Sequence, residues 1–219
     1  MTVGTQRRLA AIVSADVVGY SRLMGADEAG THTRLKTRYA DLIAPMIAAH
    51  NGRVVKLMGD GLLAEFISVV DAVSWAVESQ TKVAEISNED RDDQVIEYRV
   101  GVNLGDVIVD GDDIFGDGVN IAARLQEMAE PGGVCISAKV HSEITGKIGA
   151  EFSDGGAQRA KNIARPIHIW HWSPHSEAPI VAPDIEQDAP LPLTDKPSIA
   201  VLPFDNMSGD PEHEFFGDG

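Results

Sequence analysis

The chain has 219 residues, of which 43% are hydrophobic and 24% charged, and it carries a formal net charge of −16. This composition is typical of a globular protein that can bury a core, and the negative charge argues against a general binder of nucleic acids or anionic membranes. It leaves open a small anionic substrate held by a few well-placed cations and metal ions.

The sequence gives no indication of secretion. Asp16 interrupts the first apolar run within eight residues of Leu9, so we do not expect this run to be a signal peptide. No apolar run approaches the ~18 residues of a membrane span. Cys135 is the only cysteine, so no intrachain disulfide points to an oxidising compartment. We therefore expect a cytoplasmic protein without a membrane span.

Residues 1–172 alternate strand and helix patterns and predict one domain. The order β-α-β-β-α-β, with a hairpin between the helices, is the split βαβ or ferredoxin-like arrangement, and the later elements should extend its mainly antiparallel sheet. Pro45 should kink the first helix. The predicted elements are a buried strand at 9–18, a helix from Ser21 to about His50, a hairpin at 54–66, a helix at 69–86, a strand pair at 97–111, a helix from about Asp117 to 130, a strand at 133–137, a short helix to about Thr145, and strands near 148–153, 157–163 and 166–172.

The C-terminal part of the chain changes in character. Residues 173–195 contain five prolines and five acidic residues but no Lys or Arg, a composition typical of an extended linker. Residues 196–219 are predicted to begin a new strand, which could not bury itself alone. We interpret them as the truncated start of a second domain, so the chain is expected to be part of a longer protein.

Charged residues interrupt the most strand-like segment, "VVKLMGDGLLAEF" at 54–66. Lys56 and Asp60, four residues apart, lie around Gly59 and Gly61, and burying such groups is costly unless they meet partners. The predicted sheet places Asp60 beside Asp16, at the end of the first strand. Two adjacent carboxylates favour a cation between them, and Mg²⁺ suits such oxygen ligands. Simple turn and cap roles for these aspartates are the alternative.

A second group of polar residues lies on the helix that follows residue 116. Asn120 and Arg124 are four residues apart and therefore share one helix face. An amide and a guanidinium held there could orient a ribose and stabilise a phosphoryl group. An ordinary surface arginine beside an incidental asparagine is the alternative. No Walker phosphate loop, G-x-G-x-x-G, H-E-x-x-H or G-x-S-x-G motif is present.

Four segments in this order and spacing resemble the class III nucleotidyl cyclase catalytic domain, over about residues 7–172. They are "AAIVSADVVGYSRL", "GRVVKLMGDGLLAEF", "DIFGDGVNIAARL" and "AKNIARPIHIW". The resemblance implies the class III cyclase fold and a homodimer with two shared active sites. In each site one chain would supply the metal-binding residues and the other chain the remaining ones.

The resemblance also implies a role for each candidate residue. Asp16 and Asp60 match the aspartates that bind two divalent metal ions, Mg²⁺ or Mn²⁺. Lys56 and Asp113 match the pair that selects the base. The other matches are Asn120 to the ribose-orienting residue, Arg124 to the residue that stabilises the transition state, and Lys161 to the lysine that binds the terminal phosphates.

The chemistry of Lys56 and Asp113 favours ATP as the substrate. Lysine only donates hydrogen bonds and an ionised aspartate only accepts them, which complements N1 and the 6-amino group of adenine. Guanine reverses this edge, and mismatched polar groups would reject it. We therefore expect an adenylate cyclase that makes cyclic AMP for intracellular signalling. The alternatives are a guanylate or relaxed-specificity cyclase, and a catalytically silent nucleotide-binding module that regulates a missing C-terminal region.

The last segment, "SIAVLPFDNMSGDPEHEFFGDG", resembles the opening strand of the TolB-like domain that often follows such cyclases in bacterial proteins. This resemblance covers few residues. It implies a bacterial protein with a regulatory or interaction domain beyond residue 219.

Overall fold

The computed structural model describes residues 6–87, 95–161, 163 and 165–174. The predicted linker at 173–195 and the predicted TolB-like fragment at 196–219 therefore lie outside the described residues, apart from positions 173 and 174. Within the described part, the strands are β1 (Gln6–Val17), β2 (Gly52–Met58), β3 (Gly61–Phe66), β4 (Tyr98–Asp110), β5 (Asp113–Phe115), β6 (Val134–Ser137), β7 (Ser153–Gln158) and β8 (Ile167–Trp172). The helices are α1 (Tyr20–Ala26), α2 (Glu28–Arg38), α3 (Ala44–Ala49), α4 (Val69–Ser87), α5 (Asp117–Met128) and α6 (Ala138–Ile144), with a π-helical turn at Tyr39–Ile43.

The strands form one mixed but mostly antiparallel sheet in the order β2-β3-β1-β4-β6-β8-β7, with β5 paired to β4. The first four strands have the order of a ferredoxin-like βαββαβ unit, which confirms the predicted fold class. Parallel pairing of β4 with β6 joins this unit to the C-terminal strands. None of the described helices is both long and apolar enough to cross a membrane.

Strand β1 lies at the centre of the sheet and is buried on both faces. Ala11 and Val13 belong to the core cluster that contains Trp75 of α4, whereas Ala10 and Ile12 pack in the cluster that contains Ala122 of α5. Helices therefore cover both faces of the sheet, which explains why β1 is almost continuously apolar. Asp16 comes near the end of the strand and is only partly buried.

The prediction of one helix from residue 21 to 50 is wrong. Asp27 ends α1 and caps α2, because its carboxylate accepts a hydrogen bond of 2.9 Å from the backbone N–H of Gly30. Further along, Ala44 donates to the carbonyl of Tyr39 in the π-helical turn. Pro45 follows at the start of α3. Proline cannot donate the next helical bond, so the irregular turn occurs where the sequence predicts a kink.

The prediction of a strand pair at 97–111 is also wrong. Residues 98–110 form the single strand β4, which pairs along its length with β1. The glycines that interrupt the apolar pattern allow close approach of α5, since a Cβ at Gly105 would lie 3.1 Å from the Cα of Gly118. A glycine in a strand thus marks helix contact here rather than a turn.

The strands predicted at 148–153 and 157–163 are misplaced, whereas β8 confirms the strand predicted at 166–172. The "DGG" at 154–156 resembles a turn, but β7 runs through it with a bulge between Asp154 and Gly156. Gly156 has a φ of +69°, which accommodates the bulge. A Cβ at Gly155 would collide with His171 and Ile169 of β8, so the glycine permits close strand pairing.

The close packing of α5 on β4 gives a stability prediction. A Cβ at Gly101 would overlap backbone atoms of Gln126 and Ala122, which cannot rotate away. Gly101→Ala is therefore expected to lower the free energy of unfolding by about 3 kcal/mol, measured by urea denaturation. Gly25→Ala is the matched control, because Gly25 lies in α1 with no heavy atom near its would-be Cβ. Equal stabilities of the two variants would contradict this account of the β4–α5 contact.

Candidate active site

Asp16 and Asp60 meet at one end of the sheet. Pairing of Ala15 with Leu62 brings the end of β1 against the β2–β3 turn, where Gly59 adopts a φ of +66°. Burial raises the pKa of Asp16, and the neighbouring Asp60 raises it further through its charge and a hydrogen-bonding contact. The predicted proximity of the two aspartates is confirmed. Their role as metal ligands stays a prediction.

The chemistry of this pair fits a hard divalent cation. Both groups offer carboxylate oxygens, and a raised pKa means that the ionised pair is unfavourable without a compensating positive charge. The described residues contain no cluster of three or more His, Cys, Asp or Glu side chains that could hold a metal by themselves. Mg²⁺ commonly takes only one or two protein carboxylates and completes its shell with water and substrate phosphates.

Arg99 is a third charged residue at this end of the sheet, and our sequence analysis missed it. It lies opposite Asp16 in the pairing of β1 with β4, and its positive charge opposes the rise in the pKa of Asp16. Its buried Nε has no hydrogen-bond partner within the described part of the chain. An unsatisfied guanidinium N–H can be paired by an anionic ligand. The sequence feature that could have indicated Arg99 is a cation inside an apolar strand, "YRVGV". The same pattern indicated Lys56.

Lys56 and Asp113 form an ion pair between β2 and β5. The Lys56 ammonium donates to both carboxylate oxygens of Asp113, at 2.9 and 2.7 Å, and each side chain is 33% exposed. The ammonium also lies 5.1 Å from the centre of the Phe115 ring. The hydrogen bond from Lys56 holds the pKa of Asp113 below its ordinary value. Asp113 is thus kept as an acceptor and Lys56 as a donor, side by side.

Asn120 and Arg124 are placed by the packing of α5. Gly118, Ala122 and Leu125 face the sheet and are buried, which leaves Asn120 on the exposed side of the helix. Arg124 lies one turn further along, partly exposed, and donates to the carboxylate of Glu127. The predicted shared face is therefore confirmed. The guanidinium of Arg124 would have to exchange Glu127 for a phosphoryl group.

Lys161 lies in the turn between β7 and β8 and is exposed. These strands end the sheet on the side opposite to the β2–β3 hairpin, so one chain does not bring Lys161 close to Asp60. Two cavities formed by the described residues do not unite the predicted residues either. One of about 240 Å³ is lined by Asp60 but by none of the other six, and one of about 500 Å³ near the start of α5 includes none of the seven.

Residues 5–165 match the family described as the adenylate and guanylate cyclase catalytic domain. The chain belongs to this family. The matched region contains all seven predicted site residues together with Arg99, so the cyclase domain spans every charged group described above.

The relatives and solved structures similar to this cyclase domain agree with that assignment. The putative adenylate cyclase 3 of Rhizobium meliloti is 51% identical over 214 residues, which is 98% of this chain and 36% of that protein. The adenylate cyclase of Streptomyces coelicolor is 32% identical over 138 residues, 63% of this chain and 34% of that protein. The chain thus spans about a third of the length of these curated relatives.

Solved structures of cyclases are similar to this chain in fold. A crystal structure described as an adenylate/guanylate cyclase/hydrolase from Silicibacter pomeroyi is 42% identical with a TM-score of 0.74, covering 78% of this chain and 99% of that one. An adenylyl cyclase from P. aeruginosa is 24% identical with a TM-score of 0.68, and the match covers 77% of this chain and 95% of that one. At this identity the similarity is evidence for the fold alone. The predicted class III cyclase fold is therefore confirmed.

Proposed function

We propose that this cyclase domain converts ATP to 3′,5′-cyclic AMP and pyrophosphate, at active sites shared between two copies of the chain. The Lys56–Asp113 ion pair is the observation that carries the proposal. It presents a donor beside an acceptor, and adenine offers the complementary acceptor N1 and donor 6-amino group. Guanine would place donor against donor and acceptor against acceptor at the same position.

We infer that Asp16 and Asp60 hold two divalent metal ions, Mg²⁺ or Mn²⁺. Their adjacency and the raised pKa of Asp16 support this role. When bound, such ions lower the cost of ionising the ribose 3′-hydroxyl and neutralise charge on the triphosphate. Arg99, beside Asp16, provides a further positive charge toward the phosphates.

The remaining side chains act on the ribose and the phosphates. Asn120 orients the ribose so that its 3′-oxygen lies in line with the α-phosphorus. A bond forms between these two atoms, the bond from the α-phosphorus to the bridging oxygen breaks, and pyrophosphate leaves. Arg124 offsets the charge that develops on the α-phosphoryl group, and Lys161 binds the leaving pyrophosphate. The proton of the hydroxyl passes to water or to a substrate phosphate.

A site shared between two copies is supported by the distribution of these groups within one chain. Asp60 and Lys161 lie near opposite edges of the sheet, and neither cavity described above unites the candidate residues. Exposed apolar side chains flank the base-selecting pair, with Leu57, Met58 and Phe115 being 53%, 49% and 45% exposed. A second copy of the chain that covered these side chains would remove their apolar surface from water.

Product analysis tests the proposal. The purified chain is incubated with ATP or GTP, in Mg²⁺ and then in Mn²⁺, at several protein concentrations, and the products are separated by chromatography. We expect cyclic AMP in excess of cyclic GMP, with a specific activity that rises with protein concentration because only the dimer has complete sites.

Three other outcomes would contradict parts of this proposal. Equal or greater production of cyclic GMP would indicate a guanylate or relaxed-specificity cyclase and would remove the base-reading role of Lys56 and Asp113. Bound nucleotide without any cyclic product would favour the silent regulatory module. A specific activity independent of concentration, in a chain that sediments as a monomer, would contradict the shared site.

A further inference from the structure

A network of charged residues connects the centre of the sheet to the turn that carries Asp113. Glu65 of β3 is buried, with 8% of its side chain exposed, and it accepts hydrogen bonds from two arginines. Arg8 of β1 donates to both of its carboxylate oxygens at 2.6 Å. Arg53 of β2 donates to Glu65 through Nε and, through Nη1, to the backbone carbonyl of Asp112 at 2.9 Å.

A β-bulge places Arg53 on the same face of the sheet as Lys56. Arg53 pairs with Glu65, and Lys56 pairs with Leu63, because the register shifts between Val54 and Lys56. Residues three apart in a regular strand point to opposite faces, but the extra residue returns the second one to the first face. Both cations therefore reach the β4–β5 hairpin, Arg53 at Asp112 and Lys56 at Asp113.

Ile114 at the centre of β5 is fully buried, but the exposed turn that precedes β5 has no buried side chain of its own. Strand β5 has only three residues and pairs with β4 alone in the described sheet, after a turn at Gly111 and Asp112 that is exposed. A short edge strand joined by an exposed turn is held weakly by its own ladder. Since Asp113 is its first residue, any movement of the turn displaces the carboxylate that faces Lys56.

The charge of Glu65 can be neutralised without Arg53. Arg8 already occupies both oxygens of that carboxylate, so the ion has a partner without Arg53. The guanidinium of Arg53 is instead divided between Glu65 and Asp112, which only a planar group with several N–H donors can achieve. Its positive charge is also among the causes, after Lys56, that keep the pKa of Asp113 low.

We propose that Arg53, anchored by the buried Glu65, is a positioning residue for base selection: it holds the β4–β5 turn so that Asp113 meets Lys56 and the purine edge. This inference rests on the proposed function of the Lys56–Asp113 pair. Arg53 itself does not touch the substrate.

Arg53→Lys tests the proposal while preserving the charge beside Glu65. We expect KM for ATP to rise about tenfold and the ATP:GTP ratio of kcat/KM to fall about tenfold, with kcat within about twofold of wild type, because one well-aligned hydrogen bond is lost from the turn and none from the reacting groups. Glu65→Gln should shift the same ratio in the same direction. Combined with Lys56→Glu, the Arg53→Lys change should add less than about twofold, because both act on one pair.

Arg34→Lys is the matched control. Arg34 is a partly buried arginine of α2 that binds Asp27 at 3.2 Å, away from the hairpin, and its replacement should leave both kinetic constants unchanged. Amide hydrogen exchange of residues 111–114 provides a readout independent of catalysis, and Arg53→Lys should accelerate it about tenfold. The same samples are tested for binding of non-hydrolysable ATP and GTP analogues.

These measurements separate the two proposals. A wild-type chain without cyclic product would overturn the proposed function, yet faster exchange and reduced ATP-analogue preference in Arg53→Lys would still support the positioning role. A wild-type selectivity that depends on Lys56 but not on Arg53, with unchanged exchange at 111–114, would overturn the positioning role alone. An equal effect of Arg34→Lys would overturn it as well.

Discussion

Mixing Asp16→Ala with Arg124→Ala chains is expected to restore about a quarter of wild-type activity, although each variant alone is nearly inactive. In the proposed dimer, each site takes Asp16 and Asp60 from one chain and Arg124 from the other. A homodimer of either variant has two damaged sites, but a heterodimer has one intact site. Random pairing makes about half of the dimers heterodimers, each with one of two sites working. Arg124→Ala alone should lower the rate by roughly 10²–10³-fold, as for other residues that stabilise transition-state charge.

Asp16→Ala mixed with Asp60→Ala is the control for this experiment. Both changes damage the same half of the site, so every dimer in that mixture keeps two broken sites. Circular dichroism and sedimentation establish that all variants fold and associate. Activity that stays absent in the first mixture, or returns in the control mixture, would show that the sites are not shared in the proposed way.

The proximity of Asp16 to Asp60 followed from the sequence because it depends on strand order. A hairpin between two helices places β3 beside β1, and Asp60 lies in the turn of that hairpin. The succession of strands and helices along the chain predicts this strand order, so this part of the site needs no side-chain detail. The helical spacing of Asn120 and Arg124 is predictable for the same reason.

The parts that the sequence did not reveal depend on contacts between distant segments. Gly105 resembles a turn residue, yet it lies in mid-strand because Gly118 of α5 packs against it. Arg53 resembles a surface cation, and only the bulge at Val55 places Lys56 on the same face, so that both cations reach the β4–β5 turn. Local patterns do not encode such bulges, because they are selected by the packing of whole elements. Arg99 is different, since the isolated cation in an apolar strand was visible and the same reasoning as for Lys56 applied.

The charged residues of the β2–β3 hairpin face two different groups of partners. Arg53 and Lys56 face the β4–β5 turn, whereas Asp60, beyond Lys56 at the end of the hairpin, faces Asp16. In the proposed dimer, Lys56 and Asp60 of one hairpin would serve different substrate molecules. A change in the hairpin would therefore affect base selection in one site and metal binding in the other.

Lys56→Glu is expected to abolish the preference for ATP, with the ATP:GTP ratio of kcat/KM falling by on the order of 10²-fold. The change removes the donor to adenine N1 and places a second acceptor beside Asp113, where the two acceptors would suit the N1–H and 2-amino donors of guanine better. The pair is one-third exposed, so the effect should be smaller than at a fully buried site. Steady-state kinetics with both nucleotides at saturating metal give the ratio.

Lys82→Glu is the control for this change. Lys82 also pairs with a carboxylate, that of Glu78 at 2.6 Å, but this pair lies on the surface of α4. An unchanged ratio in Lys56→Glu, or an equal fall in Lys82→Glu, would contradict the base-reading role, because a direct donor to the purine edge cannot be reversed in charge without changing which purine fits.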